Sequence, residues 1–334
     1  MASADHPARV YVGLESPLRE ILFESRTWDR LQMLAEVDVM PDGADALPAG
    51  LCRDYDVLVT GWGTSLLEGL DADRLGLVVH TAGSWRSVIT DEVLAGDVVV
   101  SQAGSDPMAR AVAEFALTMT LTILRHVHTY DRSMQDTRDY IASRQPEYGD
   151  SIDALRHGLV GLSRVGVWHA KMLRGLGCDD IVAYDPYFPE EHASEVGVRL
   201  VGLEEAMASD VVALHAPVTP ETMGLVGRSE LDLMPDGGVL INTARAAIVD
   251  GAALEDELVS GRIRAGLDVF DEEPLPPSSP LYGLPNVLLA PHVAGATTQA
   301  RFGQGRAAVD EIERFLRREP LRFAIDPARA ARLS

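Results

Sequence analysis

The sequence predicts an α/β protein built of two Rossmann-like or flavodoxin-like parallel-sheet domains with a cleft between them. Three observations predict it. Short, unbroken apolar runs such as DVLVT (56–60), VVALH (211–215) and VLIN (239–242) alternate with helix-spaced segments, the pattern of strands buried on both faces of a parallel sheet. The stretch 158–186, GLVGLSRVGVWHAKMLRGLGCDDIVAYDP, reads as strand, tight turn, helix and strand, half of a dinucleotide-binding unit. The length of 334 residues suffices for two domains with their own cores, and 46% hydrophobic with 24% charged residues is ordinary for a globular chain.

In order, 9–13 (RVYVG) reads as the first strand, and 14–34 as a helix carrying Leu18, Ile21, Leu22, Leu31 and Leu34 at helical spacing. A short strand at 37–40 precedes a Gly/Pro/Asp-rich loop. The strand 56–60 ends in Gly61-Trp62-Gly63-Thr64, the strand 77–81 ends in Ala82-Gly83-Ser84-Trp85-Arg86, and 98–101 is a further strand. Loops past the carboxyl ends of parallel strands carry function, so both named loops qualify. Residues 107–130 form a long apolar helix-like segment with Pro107 in its first turn. Its apolar faces ask for burial between domains or subunits. Residues 131–157 are polar, a helix and an excursion embracing another subunit. Beyond Asp185 come strands at 198–201, 211–215, 239–242, 263–268 and 287–290, helices from Leu203 and from Ala253 to a Gly261 cap, and a Pro-rich extended loop at 274–285. A long helix over 297–318 returns the chain to the first domain. The expected division is 1–106 plus 298–334 for one domain and 107–297 for the other.

In the 158–186 unit, Gly161, Ser163 and Gly166 punctuate the turn, where backbone N–H groups and a helix N-terminus meet a pyrophosphate. Asp185 lies about twenty residues beyond the first glycine, the place of an acid that takes the ribose hydroxyls, and its charge repels a 2′-phosphate, favouring NAD over NADP. Ser163 stands where the fingerprint has its second glycine.

The formal net charge of −22 argues against nucleic acid or an anionic membrane as partner. Two cysteines, Cys52 and Cys178, lie far apart in no metal spacing, which suits a reduced, cytoplasmic compartment. The start MASADHPARVYVG has no apolar core of a signal peptide, no uninterrupted apolar run spans a bilayer, and no period of a solenoid is present. His126 and His128 are two apart and do not share a helix face, so no metal is implied.

Asp185, Arg245, Asp268 and His292 each sit just past a predicted strand, and Glu273 follows in DVFDEEPLPP. Strand ends converge in such folds, and an arginine, a carboxylate and a histidine suffice to reduce a 2-keto acid. Arg245 would hold the substrate carboxylate bidentately, and His292 would give its proton to the carbonyl oxygen as hydride arrives. Glu273 would hold the far ring nitrogen and stabilise the imidazolium.

With these residues in hand, the chain resembles the D-isomer-specific 2-hydroxyacid dehydrogenases, the D-3-phosphoglycerate dehydrogenase-like family. The segments that carry the resemblance are VGLSRVG, VAYDPY, LHAPVTPET, INTARAAIVDGAAL, AGLDVFDEEPLP and LPNVLLAPHVAGAT, over roughly 158–300, with weaker similarity upstream in HTAGSWR and VAEF. The resemblance implies a catalytic trio of Arg245, Glu273 and His292. It also implies cofactor contacts at Gly161, Ser163, Arg164, Val165, Gly166, Asp185, Ala216, Pro217, Thr243, Ala244 and Asp268, the last as the acid for the carboxamide, and a homodimer through 107–157. The substrate loop maps onto Ala82, Gly83, Ser84, Trp85 and Arg86. Here the chain departs from the family's small and acidic residues, and Met108 replaces a common Asn. These departures leave the reaction type and unsettle the substrate: Arg86 suits a second anionic group such as a phosphate, phosphonate or carboxylate, and is equally a surface arginine. Trp62 and Trp85 wall a pocket or pack the core. Two other readings stand beside a small anionic 2-keto or 2-hydroxy acid as substrate: an NAD(H)-sensing binding protein of the corepressor type, and formate- or phosphite-type oxidation.

Overall fold

The computed structural model describes residues 7–44, 46–144, 148–328 and 330. The first six residues, read above for a leader, and 145–147 of the polar excursion lie outside the described residues. The chain divides into two compact units, Met1–Met108 with Ala296–Ser334, and Ala109–Gly295. Each is an α/β unit with its own parallel sheet.

The first unit holds β1 (Arg9–Val12), β2 (Glu36–Val39), β3 (Val57–Thr60), β4 (Leu77–His80) and β5 (Val99–Gln102) in the order β2-β1-β3-β4-β5, every pairing parallel. The chain steps from β1 to β2 on one side and then to β3 on the other side of β1. Loops at such a reversal open a crevice at the carboxyl edge. The loop after β3 lies there: Thr64 Oγ1 accepts from the Gly61 amide (3.0 Å) and donates to the Gly13 carbonyl beyond β1 (3.1 Å). The helix Thr298–Leu316 belongs to this unit, with Ala308, Val309 and Ile312 buried among Val10, Val57 and Leu77.

The second unit holds β6 (His157–Val160), β7 (Ile181–Tyr184), β8 (Arg199–Leu200), β9 (Val211–Leu214), β10 (Val239–Asn242), β11 (Arg264–Leu267) and β12 (Val287–Leu289). Their order is β12-β11-β10-β9-β6-β7-β8, again all parallel. Its reversal lies between β6 and β9, where Val160 is level with Leu214. Gly161 and His215 therefore leave the sheet side by side.

Two expected elements are divided. The 14–34 segment is two helices, Ser16–Leu22 and Ser25–Leu34. Phe23 and Glu24 are extended between them, which lets the Phe23 ring enter the core against Trp28. The apolar segment 107–130 is a helix Ser105–Leu124 and a separate helix Val127–Thr137, parted at His126, whose φ of 53° is left-handed. No glycine or proline marks that break in the sequence. The first of these helices is long and apolar enough to cross a membrane. Its Ala116, Met119, Ile123 and Leu124 instead pack in the core against Leu159, Ala213 and Ile241. The second has no buried residue.

Candidate active site

The turn after β6 shows why two of its three punctuating residues are glycine. Gly161 has φ +97°, and a Cβ there would lie 2.5 Å from the Ala216 backbone nitrogen; a Cβ on Gly166 would lie 2.2 Å from the Gly161 carbonyl oxygen. Ser163 has φ −60° and caps the helix Arg164–Gly175, so its position needs no glycine, and its hydroxyl makes no capping bond. The off-pattern serine is thus compatible with the fingerprint turn. Asp185, past β7, accepts the Leu162 amide (2.8 Å) on one oxygen and the Tyr187 amide (2.9 Å) on the other, which fixes the acid beside the turn. Arg164 and Val165 open the helix; Ala216 and Pro217 follow β9 and His215. Thr243 Oγ1, past β10, is buried without a hydrogen-bond partner among the described residues. A buried orphan hydroxyl is unusual and marks a place for a ligand or water. A cradle that excludes a Cβ, a helix N-terminus, an acid at the next strand and this free hydroxyl fit a dinucleotide.

The predicted trio comes together on the β10, β11 and β12 side. His292 Nδ1 lies 2.7 Å from Glu273 Oε2, and the Phe270 amide donates to Glu273 Oε1 (3.0 Å). Burial acts to raise the Glu273 pKa. The bonds from His292 and Phe270 and the charges of His292 and Arg245 outweigh it, and the group titrates below its ordinary value. Arg245 is half-buried, with Nη1 donating to the Ala244 carbonyl (2.6 Å). Burial lowers its pKa and Glu273 opposes the change, so the two charges sense each other. No carboxylate of the described residues is in ion-pair range of Arg245, which leaves the guanidinium for an anionic ligand.

Two further residues hold this geometry. Asn242 spans the β10 loop, accepting the Ala244 amide (3.1 Å) and donating to the Arg245 carbonyl (3.0 Å). Asp268 is buried, and its two oxygens accept the Val293 (2.8 Å) and Ala294 (2.9 Å) amides. Burial raises its pKa while those bonds oppose the change. Asp268 thereby clamps the loop in which His292 takes a left-handed φ of 54°. A non-glycine residue in that region costs roughly 1–3 kcal/mol and persists where its surroundings over-determine it.

The substrate-loop expectation is corrected in its side chains. Trp85 is a core residue, 1% exposed among Leu58, Val78 and Val100, because the apolar volume of an indole is worth most when buried. Arg86 lies over the Trp85 ring (4.6 Å) and donates to the Ala330 carbonyl (2.5 Å), so it is engaged within its own unit. Arg301, in the same unit, is half-buried and 4.1 Å above the Trp62 ring, with Nη1 donating to Gln304 (3.3 Å). Burial lowers its pKa. Sequence reasoning missed a buried imidazole pair, His169 Nδ1 to His215 Nε2 at 2.7 Å, beneath the glycine turn. His215 was visible as a polar residue ending an apolar run; its partner, a helix residue forty-six positions earlier, was not.

Residues 117–294 match the family model of the D-isomer specific 2-hydroxyacid dehydrogenase NAD binding domain, more than half of the chain. The chain belongs to this family. It is 35% identical to a D-3-phosphoglycerate dehydrogenase of Archaeoglobus fulgidus over 233 residues, 69% of the chain and 43% of that protein. The chain spans less than half the length of the curated phosphoglycerate dehydrogenase it matches there. It is 30% identical to a glyoxylate reductase of Korarchaeum cryptofilum over 93% of both chains. A solved D-2-hydroxyisocaproate dehydrogenase shares the fold with a TM-score of 0.80 at 22% identity, covering 95% of this chain and 99% of that one. As a family member the chain carries the NAD-binding domain, and its turn, acid and trio stand in the segments that first carried the resemblance.

Proposed function

We propose that the protein is an NAD-dependent D-2-hydroxyacid dehydrogenase, working as a 2-keto acid reductase or its reverse. The observation that carries this reading is the 2.7 Å contact of His292 Nδ1 with Glu273 Oε2, near an Arg245 that senses Glu273 but has no ion pair among the described residues. The nicotinamide cofactor, when bound, supplies or takes up the hydride. Gly161, Ser163, Arg164, Val165 and Gly166 hold its pyrophosphate; Ala216, Pro217, Thr243 and Ala244 line its cleft, and Asp185 takes the ribose. The fixed carboxylate at 185 favours NAD over NADP. Arg245 grips the substrate carboxylate through two parallel N–H donors. His292 delivers a proton from Nε2 to the substrate oxygen in reduction and accepts it in oxidation, while Glu273 accepts from Nδ1 and so fixes the ring and balances the imidazolium charge.

The substrate class is a small anionic 2-keto or 2-hydroxy acid. A second anionic group on it would be a phosphate, phosphonate or carboxylate. We further place the protein in the cytoplasm as a homodimer. The helix Val127–Thr137, with no fully buried residue, and the exposed Tyr140 and Ile141 after it are the surface a second copy would cover. The test is a panel of 2-keto acids with NADH, followed at the nicotinamide absorbance, for wild type and His292→Ala. Turnover lowered about 100- to 10,000-fold by the substitution at unchanged NADH affinity is the expected result for a general acid. No turnover of any acid by folded, NADH-binding protein would refute the reading and favour a binding protein of the corepressor type.

A further inference from the structure

The Pro-rich loop that carries Glu273 leaves space beneath it. Between this loop and the helix Gly251–Ser260 lies a cavity of about 320 Å³, open to solvent and wholly within the second unit. That is the lower end of the range for sites that take a metabolite-sized molecule. Its floor is apolar because it is the edge of a core: Val249, Leu254 and Leu267 are buried, and Phe270 and Leu281 pack against the same cluster. Its mouth is acidic. Glu255 on the helix and Asp271 and Glu272 on the loop line it, all three exposed. Their sequence neighbours each have a cation: Asp256 pairs with Arg228, Glu257 with Arg262 and Glu273 with His292. No cation of the described residues is in ion-pair range of the three at the mouth. Asp271 lies against the first turn of the helix, its Oδ2 2.0 Å from where a Cβ on Gly251 would stand, so Glu255 and Glu272 are the freer pair.

The walls of the cavity are the two segments that carry catalytic residues. Asn242 and Ala246 line it on either side of Arg245 in sequence, and Asn242 holds the Arg245 carbonyl (3.0 Å). Phe270 and Leu275 line it on either side of Glu273, and the Phe270 amide holds Glu273 Oε1 (3.0 Å). Arg245, Glu273 and His292 do not line it, nor does any residue given to the cofactor. A molecule lodged there sets the spacing of the segments that bear the guanidinium and the carboxylate without touching either group.

We propose that this cavity is an effector site for a small organic ammonium ion, whose hydrocarbon body fills the apolar floor while its charged end meets Glu255 and Glu272 at the mouth. Binding stands apart from the proposed function; the effect on turnover rests on it. A neutral body would leave the carboxylates unmatched, and an anion would meet repulsion. Coupling requires only that the ligand prefer one spacing of the two walls.

The probe is 2-phenylethylamine at about pH 7.5, where an alkylamine is a cation, titrated into the full-length protein by calorimetry. The neutral body of the same shape is 2-phenylethanol. The amine is expected to bind with a dissociation constant of about 1 mM or tighter, and the alcohol at least about 5-fold more weakly. Glu255→Gln with Glu272→Gln weakens the amine about 10-fold, as the loss of two exposed ion pairs does, and leaves the alcohol unchanged. A chain of net charge −22 attracts any cation, so the control removes two charges elsewhere. Glu190→Gln with Glu191→Gln, in the first turn of another helix, keeps the amine within about 2-fold of wild type. Leu281→Trp fills the cavity from the loop and abolishes binding of both probes. At saturating amine, kcat for a 2-keto acid shifts about 3-fold or more, and the Glu255/Glu272 variant shows no shift at the same concentration. No saturable binding below about 10 mM, equal affinity for the alcohol, or equal weakening in the two double variants overturns the inference, as does binding that leaves kcat and KM within about 1.5-fold. If wild type turns over no 2-keto acid, the catalytic reading falls while calorimetry, which needs no substrate, still upholds or overturns the site.

Discussion

Replacing Glu273 by glutamine removes one charge and almost nothing else. Glutamine keeps a carbonyl oxygen that can accept from the Phe270 amide or from His292 Nδ1, so the shape survives and the counter-charge does not. The His292 contact is 2.7 Å, the range of a charge-assisted bond, and Glu273 titrates below its ordinary value despite burial. Such bonds contribute about 1.5–3 kcal/mol when shielded. The two side chains are 48% and 37% exposed, so solvent screening trims this to about 1–2 kcal/mol. The transition state carries part of the imidazolium charge in either direction, so a loss of up to that size, about 5- to 30-fold in kcat/KM, is expected. The equilibrium constant of the reaction is fixed, so reduction and oxidation must fall by the same factor at a given pH. Steady-state assays in both directions measure this, with NADH titration as control; melting temperature should barely move, because an exposed pair contributes little stability. A Glu273→Gln enzyme within about 2-fold of wild type in both directions would refute the role given to the pair.

Two other outcomes follow from the same geometry. Gly161→Ala forces a Cβ against the Ala216 nitrogen at φ +97° and is expected to weaken NADH binding at least about 10-fold in a fluorescence titration, whereas Ser163→Gly, at an unstrained φ of −60°, changes it less than about 3-fold; the reverse ranking would refute the account of the turn. Acid should destabilise the fold before its carboxylates titrate. Burial depresses His80 to about 4 and His215 to about 3, so these groups stay neutral in the folded chain while an unfolded histidine binds a proton below about pH 6.5, and stability is lost as pH falls through that value. Each should cost about 2 kcal/mol by pH 5, seen as a slope of urea-unfolding free energy against pH; Asp268, raised by burial, works weakly the other way, and a flat profile between pH 7.5 and 5 would refute the buried neutral state.

What could be read from the residues alone was what depends on strand periodicity and on polar residues at strand ends. The runs around β3, β6, β9 and β10 are apolar on both faces and bounded by turn residues, and Arg245, Glu273 and His292 follow such runs within a few positions. The failures are of another kind. The helix break at His126 comes from a left-handed residue that no glycine announces, and the break at Phe23–Glu24 comes from a ring seeking the core, which is a tertiary event. Residue type left Trp85 and Arg86 open between recognition and packing or surface, and the buried indole with a guanidinium over it is a packing solution. His80 was in plain sight at the end of an apolar run, the same signal that singled out Arg245 and His292. Its partners are the neighbouring strand end and a carbonyl four residues on, and a contact across strands depends on register, which the sequence does not print.

The loop after β4 and the loop around His292 are held in opposite senses. Around His292, a buried acid, Asp268, takes two backbone amides and so aims a side chain that does chemistry. In the 83–85 loop the sense is inverted: a buried imidazole and an amide side chain take two carbonyls, and what they aim is backbone. Chemistry carried by a side chain leaves a residue identity to read. Where the aimed group is backbone, only the residues that orient it are left to read, here Gly104, His80 and Gln102.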